Sequence, residues 1–166
     1  MHKSKHHQLV MTPIEAAEAE AAAGAREVGG NNRGPWVAKY LAIAGEEDHA
    51  LPWCVGFFLW CWAQAGPLPI RPTLSAGRLW KRMPRTERYG DTWPSWARPG
   101  DALFWNFHAD GTDAPSHVNM LHHVDPDGAV WTIGGNEGDE ASHAPVRLKR
   151  RDDLRKLWGI GSFSAA

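Results

Sequence analysis

No run in this chain approaches the ~18 consecutive apolar residues of a membrane span. Excess charge of one sign is also missing. Eighteen Lys and Arg against nineteen Asp and Glu leave a net charge of −1, which removes any global electrostatic case for nucleic acid or an anionic membrane. The opening residues Met1-His2-Lys3-Ser4-Lys5-His6-His7 are polar and no apolar h-region follows. A chain without a secretory signal is therefore expected, made in the cytoplasm and needing lysis, virion delivery or specialised export for work outside it. Neither CxxC nor HExxH occurs, and the adjacent His122 and His123 point to opposite faces of a strand, so no metal site is predicted. Cysteine is scarce as well. Cys54 and Cys61 fall in one predicted helix, about 10 Å apart along its axis at ~1.5 Å per residue, beyond the ~7 Å reach of a disulfide. Both are expected as free thiols.

Tyrosine is rare, at two residues, whereas tryptophan reaches ten. Trp joins a large apolar face to one N–H donor and suits cores, sugar-stacking clefts and interfaces alike. A length of 166 residues with 43% hydrophobic residues suits one domain with an ordinary core. Residues 1–11 read as a disordered tail and 12–166 as that domain.

Thr12-Pro13-Ile14-Glu15 has the form of a helix start, and the Ala/Glu run that follows carries a helix to Arg26. A second helix is predicted from Trp36 to Ala44, stopped by Gly45. After the polar loop from Glu46 to Leu51, Pro52 opens the most apolar helix, Trp53 to Ala65, closed by Gly66-Pro67. A short helix spans Ser75 to Met83, and Glu87 to Gly100 reads as loop. The period then changes. Ala102–Phe107, His117–Val124, Ala129–Ile133, Val146–Leu148 and Trp158–Phe163 read as strands, with Asp125-Pro126-Asp127-Gly128 as a hairpin turn. Helices first and an antiparallel sheet second define an α+β fold. The run Lys149-Arg150-Arg151, met at once by Asp152 and Asp153, reads as a solvated turn or helix start.

Cys54 lies in the first turn of its helix, where unpaired N–H groups favour thiolate and can stabilise an oxyanion. The polar loop before it offers a route to solvent. Cys61, two turns deeper, has neither advantage and reads as core. Of nine histidines, His117 stands out because it opens a strand, held rigidly yet free to face a cleft. Asn136, at the end of the next strand, is expected beside His117 as the group that fixes its tautomer. Alternation along an extended strand would turn Glu137 to the opposite face. Trp53, Trp93 and Trp96 are candidate substrate contacts. Glu46, Glu47 and Asp48 lack the alternating oxygen pattern of a calcium loop and read as solvated.

The segments PWCVGFFLWCWAQAG, RPGDALFWNF and SHVNMLHHVDPDGAVWTIGGNEGD, in that order, resemble the CHAP family of cysteine amidohydrolases and peptidases, within the papain-like group that includes the NlpC/P60 enzymes. The stretch EVGGNNRGPWVAKYLAIAG looks like the helical lead-in of phage and bacterial members. The resemblance spans about residues 24–140. It implies a papain-like fold, peptidoglycan as substrate, and cleavage of a stem-peptide amide or the muramoyl-L-alanine link, as in phage endolysins. It carries the roles of nucleophile, base and orienting residue onto Cys54, His117 and Asn136. No cofactor, nucleic acid or stable membrane partner is implied, and a monomer is expected. One departure stands out: many members have Glu two positions before the Asn, and here that position is Gly134. That departure keeps open an alternative, a catalytically weak or dead papain-like module that binds peptidoglycan or a protein partner.

Overall fold

Residues 10–138 and 143–164 are described by a computed structural model, so the first nine residues of the expected tail lie outside the described residues. The helical half opens with α1, Pro13–Ala22, whose N-cap Thr12 accepts a hydrogen bond from the Glu15 N–H at 3.1 Å. It stops four residues short of the expected Arg26, because Gly24 takes a left-handed φ of 76° and the chain turns into an extended segment. Helix α2, Pro35–Leu41, continues as a 3-10 turn, Ala42–Ala44, and ends at left-handed Gly45. Helix α3, Cys54–Ala65, buries Cys54, Val55, Gly56, Phe57, Phe58, Leu59 and Cys61. Helix α4, Ala76–Arg82, is capped by Ser75.

The second half forms one six-stranded antiparallel sheet in the order β1-β6-β2-β3-β4-β5. Its strands are β1 Arg85–Arg88, β2 Ala102–Trp105, β3 His117–Val124, β4 Val130–Gly134, β5 Arg147–Arg151 and β6 Leu157–Ser162. Two expectations change here. Arg85–Arg88 pairs with β6 as an edge strand, although charged residues gave it no strand signature. Lys149-Arg150-Arg151 belongs to the other edge strand, β5, which suits a charged run because charge blunts an unpaired edge.

Side-chain alternation divides the apolar interior between the sheet's two faces. Ala102 and Phe104 of β2, with Val118 and Met120 of β3, pack under α1, α2 and α3. Leu103, Trp105 and Leu121 face away, and the 89–97 segment covers them through Tyr89, Trp93 and Trp96. Helix α3 thus stands over the central strands, and the start of β3 meets its N-terminus.

Candidate active site

Cys54 is the first residue of α3 and is 5% exposed. Phe57 N–H makes the first intrahelical bond, to the Trp53 carbonyl at 2.8 Å, so the N–H groups of Cys54 and Val55 have no carbonyl one turn back. The helix start is set by Trp53, which is fully buried. Its Nε1–H donates to Glu27 Oε1 at 3.1 Å, and its ring stacks on Tyr40 at 5.5 Å. Glu27, itself 1% exposed, also accepts from the N–H groups of Asn32 and Ala144 at 2.9 and 3.2 Å. One carboxylate therefore ties the lead-in segment and the residue-144 loop to the residue preceding Cys54.

His117 enters from the start of β3. Its Nε2 lies 3.0 Å from Glu137 Oε1, which leaves Nδ1 for the Cys54 thiol, with which the imidazole is hydrogen-bonded. The same Glu137 oxygen accepts from Asn119 Nδ2 at 2.7 Å, and the other accepts from Arg151 Nη2 at 2.7 Å. Asn119 Oδ1 in turn accepts from Trp105 Nε1 at 2.8 Å, and the Arg151 guanidinium lies over the Trp105 ring at 5.0 Å. Every polar contact of this buried carboxylate favours its charged form.

The electrostatics follow from those contacts. Burial opposes the Cys54 thiolate, but the His117 charge and hydrogen bond, with backbone hydrogen bonds from Val118 and Val55, outweigh it and hold the thiol below its ordinary range. Burial likewise opposes imidazolium at His117. The Cys54 thiolate and then Glu137 overcome it and raise its pKa. Burial would raise Glu137, yet His117, Arg151 and Asn119 bring it down to about 2. The contacts thus favour the charged forms along a line from Cys54 through His117 to Glu137, with the Arg151 guanidinium behind it. Cys61 behaves oppositely: fully buried, it has its thiol pushed up by desolvation and then by Glu20.

The expected orienting residue requires correction. Glu137, not Asn136, meets the His117 ring, and among the described residues no hydrogen bond joins Asn136 to His117. Strand alternation fails because β4 ends at Gly134 and Asn136 takes a left-handed φ of 57°. That turn swings the next side chain inward. The two glycines make this possible. A Cβ on Gly134 would stand 2.6 Å from Asn119 Cβ and 2.8 Å from Glu137 Oε1, and one on Gly135 would stand 2.5 Å from the Trp53 ring. The Glu137 carboxylate thus fills the space beside Gly134 into which a side chain there would project.

The expected substrate contacts are also revised. Trp53 is 0% exposed and anchors α3 from within the core. Half-buried Trp93 and Trp96 pack on the sheet face away from α3. Trp93 lies against Tyr89 at 5.5 Å, and Trp96 is held by Glu87 at 3.2 Å and Arg85 at 4.8 Å. Among the described residues, no hydrogen bond or ring contact joins either to Cys54 or His117. Beside the His117 ring lies Phe107, 47% exposed, with its ring 5.8 Å away. The sequence reading missed it by placing it inside a strand that ends at Trp105. Arg151 and Asn119 were missed because their role depends on where Glu137 turns. Among the described residues no group of three His, Cys, Asp or Glu side chains is placed to hold a metal ion, nor is any helix long and apolar enough to cross a membrane.

Helices packed on an antiparallel sheet, with a cysteine at a helix N-terminus and a histidine at a strand start, define the papain-like class. Residues 46–136 match the family model of the CHAP domain, more than half of the chain, and the chain belongs to the CHAP family, whose members are peptidoglycan hydrolases. No curated protein and no solved structure matches the chain.

Proposed function

We propose that the protein hydrolyses an amide bond of peptidoglycan through Cys54 and His117, with Glu137 as positioning residue. The observation that carries this reading is the buried line from Cys54 through His117 to Glu137, in which the imidazole is hydrogen-bonded on both sides. The thiolate attacks the amide carbonyl carbon while N–H groups at the start of α3 donate hydrogen bonds to the developing oxyanion. Imidazolium His117 protonates the departing amine as the carbon–nitrogen bond breaks. Neutral His117 then removes a proton from water, which attacks the thioester, releases a carboxylic acid and restores the thiolate. Glu137 holds the ring so that one nitrogen faces sulfur throughout, and it stabilises each imidazolium.

Either the muramoyl-L-alanine amide or a stem-peptide bond fits this chemistry. The wall is reached in this proposal through lysis, virion delivery or specialised export, so protein added from outside should act unaided. Gly134 was the ground for a catalytically dead binding module, and the Glu137 carboxylate beside it removes that ground. Turbidity of purified cell walls tests the proposal. Wild type should clear them and Cys54→Ala should not; equal clearing by both would refute it.

A further inference from the structure

A cleft of about 470 Å³ lies beside the chain that leads into α3. One wall is the chain that leads into the nucleophile helix, including Glu46 and Pro52; the other carries Arg71, Arg78 and Arg82. Pro52 lies two residues before Cys54, so their Cα atoms are within about 7.6 Å at 3.8 Å per trans step. The second wall is fixed in place. Arg82 Nη1 donates to the carbonyls of Arg71 and Pro72 at 2.9 Å each, and Ser75 Oγ accepts from the Arg78 N–H at 3.2 Å.

The charges on these walls do not balance. Among the described residues, the guanidiniums of Arg71 and Arg78 have no carboxylate partner, and the one acid lining the cleft, Glu46, is engaged by His49 at 2.6 Å. A second cleft of about 350 Å³ shares Ser75 and Arg78 with the first and includes Pro115, two residues before His117. Its acid, Asp113, is held by Arg88 at 3.1 Å and Trp158 Nε1 at 2.7 Å. Arg78 therefore stands where the clefts join, between a wall leading to the nucleophile and a wall leading to the base, with neighbouring carboxylates already engaged elsewhere.

We propose that Arg71 and Arg78 form a carboxylate-recognition subsite that seats an acidic peptide beside Cys54. This rests on the proposed wall-amide hydrolysis and narrows its substrate to stem peptides with a free, unamidated carboxylate. Planar guanidiniums on a fixed backbone suit carboxylate through paired, charge-assisted hydrogen bonds. A phosphate of a wall polymer offers similar chemistry, but the amide that Cys54 attacks in the proposed reaction belongs to the peptide.

The test is binding to the full chain carrying Cys54→Ala, so that hydrolysis plays no part. A synthetic stem tetrapeptide with free carboxylates, its fully amidated counterpart and glycerol phosphate are titrated by NMR. The free acid should bind at least about tenfold tighter than the amide, the lower range for a charge-assisted hydrogen bond. Arg71→Gln/Arg78→Gln should abolish that difference, and Arg71→Lys/Arg78→Lys should restore part of it. Equal affinity for acid and amide, a preference that survives the double Gln variant, binding of glycerol phosphate alone, or no binding would each overturn the subsite. Wall clearing by protein with Cys54 intact decides the hydrolase reading separately.

Discussion

Replacing Glu137 by Gln removes one charge and almost no volume, yet it cannot satisfy the same partners. One carboxylate oxygen serves Asn119 and His117 and the other serves Arg151. A single amide oxygen can meet only one side, and the NH2 group then faces a donor on the other. Arg151, 12% exposed at its side chain, loses its counter-charge. Glu137 is lowered from 4.5 to about 2 in the fold, which is worth about 3 kcal/mol at neutral pH, in the range for breaking a buried ion pair. The sign follows from the depressed value: the stabilisation is present above the unfolded carboxyl value and disappears as pH falls towards 2. Urea denaturation should therefore find Glu137→Gln about 3 kcal/mol less stable at pH 7, with the gap narrowing from about pH 4.5 downward. In activity, loss of tautomer control and imidazolium stabilisation should lower kcat by about 10²–10⁴. Glu137 also helps to raise His117, so the alkaline limb of kcat/KM should move to lower pH in the variant. A folded Glu137→Gln protein with wild-type kcat and an unmoved alkaline limb would refute the positioning role of Glu137.

Asn136→Ala should retain near-wild-type kcat while losing about 1–2 kcal/mol of stability from the left-handed backbone, and Asn136→Gly should recover that stability; denaturation with wall assays checks both. Gly134→Ala should cost about 1–3 kcal/mol by pressing on Asn119 and should lower kcat by displacing the Glu137 carboxylate, measured in the same two assays. Iodoacetamide labelling followed by peptide mass spectrometry should find Cys54 modified at pH values below the range of an ordinary thiol, with Cys61 modified only after unfolding. His117→Ala should move the pH dependence of Cys54 alkylation upward, because burial is then no longer opposed by the imidazolium.

Local rules made much of the fold legible. Thr12 with Glu15, Gly45, and Ser75 mark helix ends through hydrogen bonds or backbone freedom that act within a few residues. The Asp125–Gly128 turn closes with the Gly128 N–H on the Asp125 carbonyl at 2.9 Å, as its composition implies. Arg85–Arg88 was not legible because its strand conformation comes from pairing with β6, about 70 residues away. Cys54 and His117 could be singled out because each sits at the end of an element, where local pattern speaks to access and polarity. The third group could not. Whether Asn136 or Glu137 meets His117 depends on one left-handed residue and on two glycines packed against Asn119 and Trp53. Those contacts join segments distant in sequence, and an alternation rule does not reach them. Burial misled the Trp53 reading in the same way, since its N–H partner Glu27 comes from far upstream.

In the proposed reaction Cys54, paired with His117, cuts a wall amide by acyl transfer to sulfur and then to water. Its most direct measurement is mass mapping of muropeptides after digestion of purified walls in oxygen-18 water, with wild type and Cys54→Ala side by side. The wild-type digest should contain a new free amine paired with a new carboxyl group carrying one heavy oxygen, and the variant digest neither. New ends of the same kind and amount from Cys54→Ala, or a wild-type digest without them, would contradict it.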